Sequence, residues 1–172
     1  KPVINKKNVH KKKHQCSIIA GSICYPGAAY LCSMAASKAG ASYVTLYTYS
    51  EGDLIERLQS MMPDIIVKDL EYYSTYEDEI PLLVGPGGAT FEYSALSDYD
   101  SLVIDASAIS CFNDLDYTVE DNIYGISENS IMTPHVGEFK TFFKIDKNKK
   151  INLKDIKKIQ KLIGSRIIIL KS

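Results

Sequence analysis

The sequence has no apolar run near the roughly 20 residues that a membrane-spanning helix needs, so no membrane partner is expected. Its start is rich in lysine and has no apolar core segment, so no secretory signal is expected either. Basic and acidic residues nearly cancel. A formal net charge of −1 argues against general attraction to nucleic acid or anionic lipid. Cysteine is scarce: Cys16, Cys24, Cys32 and Cys111 show no CxxC spacing, and three of them fall inside apolar strand or helix patterns. That predicts reduced, buried thiols in a cytoplasmic protein, not a disulfide framework or a zinc site. The three histidines lack metal-ligand spacing, so no metal ligand is assigned. Internal repeats, interdomain linkers, a nucleophile elbow, a GxxxxGKS phosphate loop and paired carboxylates are all missing.

What is present is ordinary for a globular chain. With 172 residues, 45% hydrophobic and 24% charged, it is long enough and apolar enough for one domain with a real core. Residues 1–15 form a basic leader with Lys6, Lys7 and Lys11 to Lys13; it reads either as a solvated extension or as a phosphate-attracting edge. The domain is expected over residues 16–172. Strands are predicted near residues 16–20, 43–48, 64–67, 82–84, 102–104, 131–133 and 166–170. Helices are predicted at residues 28–40, with Pro26 near the first turn and Gly40 as the stop, and at 52–62. A third covers 152–163, between the N-cap Asn152 and Gly164. Strand–helix alternation with continuous apolar strands predicts an α/β fold: a mainly parallel sheet with helices on both faces, in three α/β/α layers.

Ligands of open α/β sheets bind outside the carboxyl ends of the strands. Gly21 and Ser22 follow the first strand, and Gly85 to Gly88 follow LLV. Asp105 follows LVI, Pro134 and His135 follow IMT, with Glu138 one turn on. Lys171 and Ser172 follow the last strand. The glycines suit close backbone approach to an anion or an ordinary strand-to-helix turn. Asp105 suits either a helix N-cap or a hydroxyl ligand, and His135 either a structural hydrogen bond or a site role.

Five segments, in order and nearly spanning the chain, resemble the NAD(P)HX dehydratases: AGSICYPGAAYLCSMAASKAGASYVTLYT, LLVGPGG, LVIDASAI, IMTPHVGEFKTFF and IIILKS. The resemblance implies a ribokinase-like fold and a carbon–oxygen lyase that dehydrates NADHX or NADPHX with ADP or ATP hydrolysis and Mg2+. It also implies a homo-oligomer and a fused or separate NAD(P)HX epimerase as partner. Ala28, Gly87 and His135 would contact the hydrated dinucleotide, with Asp105 and Glu138 beside them, and Lys171 and Ser172 would begin the nucleotide-phosphate loop. Ala89 replaces a second loop glycine of the family, Ser107 replaces a common Asp, and Val136 replaces the Pro of bacterial members. The family's catalytic Asp lies in a GGSGD segment expected beyond Ser172, so the chain by itself is expected to be inactive. A ribokinase-like vitamin or sugar kinase is one rival reading; a non-catalytic binding or oligomer-forming remnant is the other.

Overall fold

The computed structural model describes residues 14–73, 80–88, 96, 99–112 and 117–171. Residues 1–13 of the basic leader, Ala89 and Ser172 therefore lie outside the described residues, while Gln15, its last residue, already belongs to the first strand. The apolar runs become seven parallel strands: β1 (Gln15–Ile19), β2 (Tyr43–Thr48), β3 (Ile66–Asp69), β4 (Leu82–Val84), β5 (Leu102–Ile104), β6 (Ser130–Met132) and β7 (Ile167–Ile168). Their order in the sheet is β3-β2-β1-β4-β5-β6-β7. The order runs one way from β1 to β3, then restarts at β4 on the other side of β1. The switch point is therefore the β1/β4 pair, where Ser17 stands opposite Leu82 and Ile19 opposite Val84.

Side chains alternate between the faces of a strand, so neighbouring residues feed different cores. Ile18 and Leu46 pack with Ala29, Leu54 and Leu58, under α1 (Pro26–Ala39) and α2 (Leu54–Met61). Ile19 and Tyr47 point the other way, toward Ile109, Ile123, Phe139 and Phe142. These last four lie on α3 (Ser107–Cys111), α4 (Val119–Tyr124) and α5 (Val136–Phe142), and α6 (Leu153–Ile163) adds Ile159 and Leu162 at the margin. The helices thus cover both faces, as the alternation predicts.

Local chemistry sets the ends of these helices. Pro26 opens α1, and Gly40 closes it in the left-handed conformation, φ 111°. Asn152 caps α6 through its side-chain oxygen, which accepts from Lys154 and Asp155. Short α3, α4 and α5 carry no periodicity strong enough to read in advance. The last strand is shorter than the five residues predicted, because only Ile167 and Ile168 make full ladder pairs with β6. Its hydrogen bonding nevertheless continues: Ile169 N–H donates to Met132 at 2.8 Å and Lys171 N–H to Pro134 at 2.8 Å. Among the described residues no helix is long and apolar enough to cross a membrane, and no disulfide links the cysteines.

Candidate functional site

The crevice at a topological switch point is the default ligand position in an open α/β sheet. Two glycine loops meet there. After β1, Gly21 N–H donates to the Pro86 carbonyl at 2.8 Å. After β4, the chain turns through a short 3-10 segment, Pro86–Gly88, in which Gly87 takes φ 77°. A Cβ on Gly87 would sit 2.6 Å from Ala28 Cβ and 3.0 Å from the Tyr25 carbonyl oxygen. Ala28 and Gly87 are therefore in contact, and the first turn of α1 packs on the glycine loop only because both residues are small.

One strand along, Asp105 follows the end of β5. The turn after it is tight: Ala106 has φ 45°, a strained value for a residue with a Cβ. Ser107 Oγ donates to the Gly85 carbonyl at 2.6 Å, which ties this turn to the glycine loop. A Cβ on Gly85 would collide with the Asp105 carbonyl oxygen and lie 2.7 Å from Ala108 Cβ. The Asp105 carboxylate has two partners from later strands. Thr133 Oγ1 donates to Asp105 Oδ1 at 2.7 Å, and Lys171 Nζ approaches the same oxygen at 2.5 Å. The pair is half sheltered, with Lys171 at 46% and Asp105 at 23% side-chain exposure. Charge at Asp105 reaches the α1 layer as well: burial raises the Cys32 thiol pKa first, and the Asp105 carboxylate raises it further.

Beyond β6, His135 caps α5. It forms a parallel bridge with Lys171, which sets it beside the Asp105–Lys171 pair along the rim. The ring itself opens into a separate hollow of about 570 Å³, lined with Ser110, Gly137, Glu138, Lys140, Thr141 and Lys147. The rim thus has three stations: Ala28 with Gly87, Asp105 with Lys171, and His135 with Glu138. The contacts of Thr133 with Asp105 and of Ser107 with the Gly85 carbonyl escape sequence reading. Neither residue follows a strand as glycine, acid or histidine does, and Thr133 is marked only by its strand-end position. Among the described residues no three His, Cys, Asp or Glu side chains gather as a metal site.

A parallel sheet reversing at β1/β4, layered on both faces and lined with glycine at its carboxyl rim, defines a doubly wound α/β domain, whose fold is ribokinase-like by its likeness to solved structures. A sequence model of the NAD(P)H-hydrate dehydratase family matches residues 16–172, and the chain belongs to that family. A ribokinase-like superfamily protein from Enterococcus faecalis superposes with a TM-score of 0.74 at 23% identity, over 96% of this chain and 60% of that one. A hypothetical protein from Streptococcus mutans gives 0.72 at 22%, over 96% and 62%. The ADP/ATP-dependent NAD(P)H-hydrate dehydratase of Bacillus subtilis, co-crystallized with ATP and Mg2+, gives 0.71 at 22%, over 96% and 61%. At these identities the likeness establishes the fold, and the chain spans about 60% of the length of each solved structure. No curated protein matches its sequence.

Proposed function

We propose that this chain forms the dinucleotide-facing part of an enzyme that removes water from NADHX or NADPHX, coupled to hydrolysis of ADP or ATP. The observation that carries this reading is the rim itself. In a member of the dehydratase family, a glycine loop after β4, an acid after β5 and a lysine after β7 share one rim, and the lysine reaches the acid across the end of β6. Small residues at Ala28 and Gly87 let the two loops close together at the crevice where the hydrated ring and its phosphates would lie. Asp105 suits a ligand hydroxyl, and Lys171 suits a phosphate oxygen. With Ser172, outside the described residues, Lys171 would open the nucleotide-phosphate loop.

The donor set bears on the metal. Mg2+ keeps most of its waters and takes one or two carboxylates plus substrate phosphates. Two separate rim carboxylates, Asp105 and Glu138, with no three-ligand cluster among the described residues, fit an ion carried mainly by the nucleotide. Bound nucleotide would supply the phosphoryl chemistry that makes loss of water favourable. The chain's residues would hold the dinucleotide, with Asp105 orienting a hydroxyl and Lys171 neutralising negative charge. A cytoplasmic setting goes with this reading, although the thiols are not buried as expected: Cys24 is exposed and Cys16, Cys32 and Cys111 are half-buried. A homo-oligomer and an NAD(P)HX epimerase are the further partners that go with this reading.

The test joins binding to turnover. Calorimetric titration with NADHX should give saturable binding, and a Gly87→Val variant, whose side chain would strike Ala28, should lose it. The 172 residues contain no GGSGD segment, and proton transfer needs a group within hydrogen-bond reach. Incubation with NADHX, ATP and Mg2+ should therefore yield no recovery of NADH absorbance by the chain alone. Binding of hydroxymethyl-pyrimidine or thiazole alcohols in place of NADHX would favour the vitamin-kinase reading.

A further inference from the structure

His135 is an exposed residue with a fixed ring. Its Nδ1 accepts hydrogen bonds from the backbone N–H of Gly137 at 2.9 Å and of Glu138 at 3.2 Å. An imidazole nitrogen that accepts carries no proton, so the neutral ring must hold its proton on Nε2. Two neighbours keep the ring in place. Glu138 Oε2 accepts the His135 backbone N–H at 2.8 Å, and Glu138 Oε1 lies 3.4 Å from Nε2. That carboxylate is largely buried, at 12% exposure against 61% for the His135 side chain, so it is the anchored partner. Gly137 supplies the space. A Cβ there would come within 2.7 Å of His135 Cε1 and 3.0 Å of Nδ1, pushing the ring off the two amides.

We propose that Gly137 and Glu138 are positioning residues that lock His135 as its Nε2–H tautomer, so that it meets the substrate as a hydrogen-bond donor. The donor role rests on the reading that His135 faces the hydrated dinucleotide; the lock does not. The 3.4 Å gap to Glu138 leaves the Nε2–H available to a ligand. Its partner is then an acceptor oxygen of the hydrated nicotinamide or its phosphates, and the neutral ring has no outward lone pair with which to take a proton.

The tautomer can be read directly. Long-range 1H–15N spectra of the chain at about pH 9, well above the ordinary imidazole pKa of roughly 6.5, should show a protonated Nε2 and a bare Nδ1. Gly137→Ala and Glu138→Ala should each move the signals toward the mixture of a free imidazole. A wild-type ring protonated on Nδ1, or already mixed, overturns the lock, and that measurement needs no variant to fold. NADHX affinity tests the donor role. His135→Gln, which sets an amide N–H near the Nε2 position, should bind close to wild type, whereas His135→Asn should lose roughly ten-fold. Equal losses in both would overturn the donor role. A correct tautomer in a chain that does not bind NADHX would support the lock and overturn the substrate reading alone.

Discussion

At the scale of single residues, the site turns on one carboxylate with two donors on one oxygen. The Asp105–Lys171 pair is too exposed to stabilise much, since half-solvated pairs contribute about 0–1 kcal/mol. Thr133 is a different case, because its hydroxyl is part-buried against the same oxygen. Thr133→Val keeps the shape and removes that bond, which should cost about 1 kcal/mol. Lys171→Met should cost less. Urea titration compares the two, and a larger loss for Lys171→Met would mean that the ion pair is the stronger hold. The sequence offers Asp105 and Lys171 as separate strand-end residues. Their pairing is invisible there because it needs β5, β6 and β7 side by side. Ser107 shows the same limit. By resemblance it is a departure from a common Asp, whereas in the fold its hydroxyl clamps the Gly85 carbonyl.

Helices show where local signals suffice and where they do not. α1 and α6 announce themselves through Pro26, Gly40, Asn152 and Gly164, all of which stand at or next to helix ends. The five-residue α3, six-residue α4 and seven-residue α5 are too short for a periodic stripe. They are helical because Ile109, Ile123 and Phe139 must reach the sheet. Two of the caps carry a pH dependence. Lys149 and then the Asn152 backbone N–H lower the pKa of Asp155, and the Thr118 hydroxyl followed by its backbone N–H lowers that of Asp121. A carboxyl depressed by folding stabilises the fold above its unfolded pKa of about 3.9. That contribution disappears as pH falls through the lower folded value. The Lys154 amide signal, reporting the Asn152 cap, should therefore shift only below about pH 4, and Asp155→Asn should abolish the shift. A wild-type midpoint at or above the ordinary carboxylate value would contradict the cap.

The whole molecule was legible as a class and not as an order. Alternating apolar strands and helices imply parallel strands covered on both faces, but nothing in the run of residues says that β4 returns to the far side of β1. That choice follows from filling both faces at once, Ile18 into one core and Ile19 into the other. The same arrangement leaves Ile167, Ile169 and Leu170 between 42% and 53% exposed along β7. Among the described residues β7 pairs with β6 alone, and in these 172 residues taken by themselves an apolar edge of this kind invites strand pairing between molecules. Ile167→Lys should lower concentration-dependent association in sedimentation velocity while leaving the circular dichroism spectrum unchanged. Equal association in both proteins would locate the sticky surface elsewhere.

The return of β4 to β1 also governs the order in which this chain can acquire structure. β1, β2 and β3 join through consecutive crossovers and can assemble as a local unit. Ser17 and Leu82 meet only when the chain returns past β2 and β3 to the other side of β1. The entropy of closing that loop must be met before the β1/β4 contacts reward it, which slows sheets of this kind relative to helical bundles. In synthesis β1 precedes β4, so pairing along that side of β1 has to wait for β4. Because the two glycine loops meet across that seam, the candidate crevice takes shape only once β4 has joined β1.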